Sequence, residues 1–536
     1  MSNEAMSAAI SGGDTAKSER RRWWALAALA LSVLVVGLDL TVLNLALPTL
    51  GVQLHASTSD LQWFIDSYSL VLAAALLPAG LLGDRFGRKR MLILALILFA
   101  VASLACAYSQ TSGELVAARA FLGLGAAVIL PLSISVIPVL FTPEERPKAI
   151  AVVMGAVFIG YPVGPLLGGW LLDNFWWGSV FLINVPVIAL ALIAVTLLMP
   201  ESRSEHRPRL DLSGVAISSL GLTSLTYGVI KAGQDGWSDA AALATIVGGL
   251  VILAAFVAWE RRVSRRGGQP LVQLSLFESA GFTWGTILAT LVSFALFGIL
   301  FAMPLYFRDV RGLDSFGAGL RLLPMIGGMV VGMVAGTRLQ GGGEKGPRVN
   351  PKVLVATGFG LMAAALAAGA FTSITSGTGF GAAWFAVSGA GLGLAMPSAM
   401  NAALGALSAE RSGAGSSLIQ ALRQVGATLG AAILGTVLSS AYQARLDVTG
   451  LPAAAADAAK SGVSGGIEVA RSLGSASVLR SVEVAFVHGM DVMLWCCAGI
   501  ALAAALLALA FLPRQSTPQP PTAGEPTAVP APARAE

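Results

Sequence analysis

Apolar residues in this chain run in long unbroken blocks, not in the alternation of a half-buried strand or the stripe of a soluble amphipathic helix. About fourteen blocks of roughly 20 residues centre near positions 35, 72, 101, 127, 160, 189, 222, 250, 291, 328, 361, 393, 427 and 500. A helix of about 20 apolar residues covers the ~30 Å hydrocarbon core of a bilayer. Inside hydrocarbon the backbone must bond to itself, so these blocks predict helices. The expected fold is an all-α polytopic membrane protein. One long segment, about 441–486, is rich in Ala, Gly and Ser and has room for short interfacial helices.

Of 536 residues, 55% are hydrophobic and 12% charged, too little charge for a soluble chain of this length. The charges sort by side. With a cytoplasmic N-terminus, the short inner loops carry about eighteen Lys/Arg, and the short outer loops about three: Lys231, Arg308 and Arg311. An odd number of spans would scramble this separation, so an even number with both termini cytoplasmic is expected. The net charge of +5 does not point to nucleic acid, because the bases sit in inter-span loops. Cys106, Cys496 and Cys497 lie in apolar runs, and His55, His206 and His488 are scattered. Neither set has the spacing of a metal centre or disulfide framework. Residues 1–22 read as a disordered tail ending in a basic cluster, and the run after them is too long for a cleaved signal segment. The Pro/Ala-rich residues 513–536 read as a second disordered cytoplasmic tail.

Ionisable residues inside spans are the candidate chemistry, since charge in hydrocarbon is costly. Asp39 lies in LDLTVLNLALP, Leu38 to Pro48, roughly 13 Å below the outer end of the first span, with Asn44 about a turn beyond it. Asp66 stands between Trp63 and Tyr68, about one turn inside the second span; ring faces and a carboxylate suit a flat cation. Arg119 lies in the outer half of the fourth span, at a depth compatible with both acids, and a buried Arg needs a partner. Being always charged, it would lower an acid's proton affinity rather than carry the proton. In the fifth span Ala156, Gly160, Gly164 and Gly168 recur every four residues, a stripe that permits close helix approach; Pro162 and Pro165 make the helix pliable. Arg321 and Arg423 read as snorkelling or structural, and Asp491 as interfacial.

Between the second and third blocks stands GLLGDRFGRKR, Gly80 to Arg90. Gly80, Gly83 and Gly87 let the backbone turn and approach its neighbours. Asp84 can pair with a base or cap a helix amide, while Arg85, Arg88, Lys89 and Arg90 mark the cytoplasmic face. This spacing resembles the signature between spans 2 and 3 of the major facilitator superfamily, where it acts as a conformational latch. Further strings resemble those of that superfamily's fourteen-span drug:proton antiporters. They are LDLTVLNLALP, the Trp63-Asp66-Tyr68 pattern, RAFLGLGAA from Arg119, FLINVP from Phe181, and GYPVGPLLGG, which holds Gly160, Gly164, Pro165, Gly168 and Gly169. One departure is Trp177, Gly178 and Ser179, where the family usually has W-R-W, so a usual outer arginine is missing.

A weak internal repeat pairs the fifth-span string with RQVGATLGAAILG, Arg423 to Gly435, eight spans later. Six-span halves would then flank an inserted pair. The resemblance implies the major facilitator fold: an N-terminal six-helix bundle over 23–200, a linker and two extra helices over 201–265, and a C-terminal six-helix bundle over 266–512. It implies a monomeric multidrug, quaternary-ammonium-type exporter in the cytoplasmic membrane, driven by the proton gradient and using no cofactor. Asp39 and Arg119 would couple protons. Asp66, Trp63, Tyr68 and Asn44 would bind an amphipathic, cationic small molecule. Gly80, Gly83, Asp84, Arg85, Gly87, Arg88 and Lys89 would form the latch, and Gly160, Gly164, Pro165, Gly168 and Gly169 a sliding or sealing helix face. The alternatives are an exporter of another cargo (a self-made antibiotic, amino acid or lipid), a transport-dead sensor, and a polytopic enzyme, which the lack of a clustered His/Asp/Glu set disfavours.

Overall fold

Fourteen helices in the computed structural model are long and apolar enough to cross a bilayer. The structure describes residues 3–56, 58–142, 144–203, 211–268, 270–340, 349–405, 407, 412–460 and 462–513, without the side chains of 3–20, 44, 45, 48, 52, 58, 59, 162, 235 and 315. The side chains of Asn44 and Pro162 and the 514–536 tail therefore fall outside the description. Among the described residues there is no strand.

The first six spans are α1 (Asn3–Gln53), α2 (Thr58–Phe86), α3 (Arg88–Ala107), α4 (Ser112–Ser135), α5 (Arg146–Asn174) and α6 (Asn184–Leu198). Two more follow, α7 (Leu212–Asp235) and α8 (Ala240–Arg265). The last six are α9 (Ala280–Leu305), α10 (Ser315–Gln340), α11 (Pro351–Gly369), α12 (Thr378–Gly405), α13 (Ser412–Arg445) and α14 (Ala476–Phe511). α1 begins at Asn3, so the stretch read as a disordered tail is helical; no proline separates it from the span. Two short helices, Ala453–Lys460 and Val463–Ser472, occupy the segment before α14. α14 begins at Ala476, ahead of the apolar run that follows Asp491.

Polar side chains stop and start the spans. Thr111, Asp211, Asp239, Asn350 and Ser475 each accept a hydrogen bond from a first-turn amide of α4, α7, α8, α11 and α14 respectively. Gly87, at φ 106°, breaks α2 from α3 without a loop. Successive spans alternate in direction, so one end of the bundle carries the 80–90 hairpin; this is the latch end, and the other is the far end.

The helices sort into two halves. α1 packs on α5 and α6, and α2 and α3 on α4; in the second half α9 packs on α12 and α13, α10 on α12, and α11 on α12 and α14. α2 and α4 meet α13, and α5 meets α10 and α12, which joins the halves. α7 lies along α2 and touches α13, while α8 touches mainly α7 and stays the least buried span.

The two halves repeat one packing device. A Cβ on Gly160 of α5 would lie 2.8 Å from Leu34 O and Leu38 N of α1, and one on Gly164 would meet Thr41. On α13 a Cβ on Gly426 would lie 2.9 Å from Thr290 O of α9, and one on Gly430 2.8 Å from the Phe294 carbonyl carbon. So α5 rides on α1 as α13 rides on α9, backbone against backbone. The stripe read in the fifth span thus closes on α1 of its own half; α5 turns another face to α10, where Gly155 receives Met333 and Gly319 receives Leu166.

Gly160→Leu is expected to destabilise the purified protein by about 1–3 kcal/mol through overpacking. The same change at Gly327, with nothing within 4 Å of its Cβ position, is expected to be neutral. Detergent melting curves check this, and equal midpoints for the two variants would refute the α1–α5 seam.

Candidate functional site

Asp39 and Arg119 meet. Arg119 Nη1 donates to Asp39 Oδ2 at 2.6 Å, and both side chains are almost fully buried, with 0% and 2% exposure. Three more helices complete the cage. Arg119 Nε donates to Phe64 O of α2 at 3.0 Å, and its guanidinium lies 4.6 Å from the Tyr68 ring centroid. Asn184 Nδ2, at the start of α6, donates to Asp39 Oδ1 at 3.1 Å and lies 3.2 Å from Ser103 Oγ of α3. A buried ion pair is tolerated when its remaining donors and acceptors are met, and removing one partner costs ~3–5 kcal/mol. Here five helices share that duty.

Asp66 does not join them. It accepts a hydrogen bond from Gln234 Nε2 of α7 at 3.4 Å, half-buried at the far end. Trp63 is 42% exposed, whereas Tyr68 is fully buried beneath Arg119. The Trp63-Asp66-Tyr68 pattern is therefore split between two places, because residues two apart on a helix point about 200° apart.

At the latch end, Asp84 acts in two directions. Its Oδ1 accepts from Arg88 Nε at 3.1 Å and Nη2 at 2.7 Å, with both residues buried. Its Oδ2 accepts from the Ala414 amide at 3.0 Å, in the first turn of α13. Gly80 permits this contact, since a Cβ there would run into Gly413 and Ser417 of α13, and Gly83 lies as close to Leu132 of α4. Ser412 Oγ and Ser416 Oγ donate to Ser135 O and Pro131 O of α4 at 2.9 and 3.0 Å. The basic residues face elsewhere. Lys89 Nζ donates to Thr196 O at 2.7 Å, Arg90 lies 3.7 Å from exposed Glu201, and Arg85 lies over the Phe86 ring. Nearby, Arg22 makes a two-pronged 2.8 Å bond to Glu145, tying the base of α1 to the start of α5.

Between the halves lies a cavity of about 40 Å³, lined by Leu40, Leu130, Tyr161 and Phe297 and by polar Gln420 and Arg423. It has room for a water or two and none for a drug. Arg423 is thus central: it bonds Gln420, and its Nε donates to Ser293 Oγ at 3.2 Å. Leu40 and Val36 of α1 line the cavity, while Asp39 between them turns into its own half. Sequence reasoning missed Asn184, Ser103, Gln234 and Gln420, which are uncharged; only Asn184 left a signal, inside FLINVP.

Two halves joined across a central polar space, sealed at one end by a charged cap, are the parts of a membrane transporter that rocks about that space. Residues 29–431 match the Major Facilitator Superfamily, and the chain belongs to that family. It is 34% identical to the multidrug efflux pump LfrA of Mycolicibacterium smegmatis, over 94% of this chain and 98% of that protein. It is 33% identical to the tetracenomycin C resistance and export protein of Streptomyces glaucescens, over 91% of each. It is 32% identical to the methyl viologen resistance protein SmvA of Salmonella typhimurium, over 88% of this chain and 95% of that protein. Solved structures share the fold at low identity. The human organic anion transporter MFSD10 superposes with a TM-score of 0.57 at 15% identity, over 92% of this chain and 99% of that one. A double-tryptophan mutant of XylE gives 0.59 at 16%, over 91% and 95%. The protein is accordingly a multi-pass cell-membrane transporter with two six-helix bundles and two extra helices.

Ser417 is fully buried in the α2–α13 seam, so in a Cys496→Ser background Ser417→Cys is expected to react slowly with a membrane-permeant maleimide. Adding Asp84→Asn is expected to speed labelling several-fold, because a neutral amide caps α13 more weakly than a carboxylate. Unchanged labelling would show that the Asp84 carboxylate does not hold the seam.

Proposed function

We propose that this protein exports amphipathic drugs or dyes in exchange for protons, with its latch end and both termini at the cytoplasmic face. The observation that carries the reading is the Asp39–Arg119 pair, the one acid–base contact among the described residues that is almost fully buried in mid-membrane beside the central cavity. Relatives named as multidrug and antibiotic exporters support the cargo class, and the basic latch end supports the orientation.

Asp39 is reached through α1 rather than by cargo. As a carboxylate it accepts bonds from Arg119 and Asn184 and holds α1 against α4 and α6. A proton on Asp39 removes the charge from that contact and leaves Arg119 bonded to Phe64 O and resting on Tyr68. α1 is then freer to move, and Val36 and Leu40, on the cavity wall, move with it. Cargo that spreads the cavity displaces the same helix in the opposite sense, so proton and cargo compete without sharing a site. Asp84 on α13 closes the cytoplasmic end in one of the two arrangements. The energy source is the proton gradient, with no cofactor, and one chain suffices.

A cation would be met by Asp66, with Trp63 at its rim. A second reading, export of acidic or acceptor-rich cargo, is favoured by Arg423, the charged residue that lines the central cavity.

In proteoliposomes with an imposed pH gradient, the wild-type protein is expected to move ethidium, and Asp39→Asn to lose at least tenfold of that rate. Asp66→Asn is expected to weaken ethidium transport and spare a neutral dye. Gradient-driven transport by Asp39→Asn at the wild-type rate would exclude Asp39 as the coupling group. Movement of an anionic dye in place of ethidium would select the second reading.

A further inference from the structure

A second cavity lies wholly within the C-terminal half at the far end and encloses about 300 Å³. That is within the range of small-molecule sites and well above the central space. The end of α9, the start of α10, the α11–α12 turn, the first turns of α12 and one residue of α14 surround it. Its lower walls are apolar, with Met303, Phe307 and Phe385 among them.

Two guanidinium side chains line this space. Arg321 of α10 lines it, half-buried, with no ion pair or hydrogen bond among the described residues. Arg311 lines it too; its Nη1 donates to Ile374 O and Ser376 O at 3.0 Å each, which pins the α11–α12 turn. Thr372 and Trp384 are lining residues with 5% and 4% exposure. Thr372 Oγ1 and Trp384 Nε1 have no hydrogen-bond partner among the described residues. Buried polar atoms are nearly always bonded, and an indole N–H can only donate. The first turn of α12 lies in this wall and brings the positive end of its dipole there. Among the described residues no acid lines the cavity; Asp491 is the neighbour of the lining Met490 on α14.

We propose that this cavity binds an anionic oxygen group carried on an apolar body, with Arg321 and Arg311 as its donors and the Phe307–Phe385 wall against its apolar part. A carboxylate on an aromatic ring and the acidic headgroup of a membrane lipid share this chemistry. The site is separate from the Asp39 network and the central cavity, and does not depend on proton coupling.

The test uses the full-length protein in detergent, with salicylate, uncharged salicylamide, phosphatidylglycerol and phosphatidylcholine as probes, read by calorimetry and by thermal shift. Salicylate is expected to bind at least tenfold more tightly than salicylamide. Arg321→Ala is expected to weaken it at least tenfold, and Arg321→Lys to restore part of the loss. Arg308→Ala, an exposed base at the same end and not part of the lining, is expected to change nothing. If phosphatidylglycerol raises the melting point and phosphatidylcholine does not, with the difference lost in Arg321→Ala, the anion comes from the bilayer. Equal binding of the charged and uncharged probes, or wild-type binding of both anions by a folded Arg321→Ala, would overturn the proposal.

Discussion

A guanidinium and a carboxylate buried together in mid-membrane govern the first half of this molecule. Neither charge has water to fall back on, so each oxygen and nitrogen must find a protein partner. Asp39 draws on α4 and α6, and Arg119 on α1 and α2. Asn184 extends the set to Ser103 of α3. The helices are thereby held by a contact whose strength depends on one proton. Proton coupling would follow from that dependence, because the helix that carries the carboxylate also lines the central cavity.

The 80–90 hairpin uses the same economy of groups. One oxygen of Asp84 is satisfied inside its own half by Arg88, and the other reaches across to the amide of Ala414. Arg88 therefore holds the carboxylate in place, while α13 supplies the partial positive charge of its first turn. Of the hairpin's other bases, Lys89 bonds to the α6 end and Arg90 lies near Glu201. Close approach is the other requirement, and glycine meets it at Gly80 across the halves and at Gly160 and Gly430 within them.

The candidate site was legible in part, along physical lines. Charged residues in apolar runs announce themselves, so Asp39, Arg119, Asp66 and Asp84 stood out. Uncharged partners do not: Asn184, Ser103 and Gln234 are ordinary residues until three-dimensional contact gives them a role. The Trp63-Asp66-Tyr68 string looked like one recognition element, yet helical rotation sends Tyr68 to Arg119 and leaves Asp66 to Gln234. Arg423 read as structural, and the structure sets it in the wall of the central cavity.

By itself the sequence determined the solvent, the span count and the family. Those rest on summed hydropathy, loop charge and short local strings, which need no knowledge of who touches whom. Tertiary structure alone decided which acid meets Arg119, which face of α5 packs on α1, how small the central cavity is, and that a second, donor-lined cavity exists in the other half. Each of these depends on residues from distant spans arriving at one depth and one rotation. A single chain of apolar runs leaves rotation about each helix axis open until packing settles it.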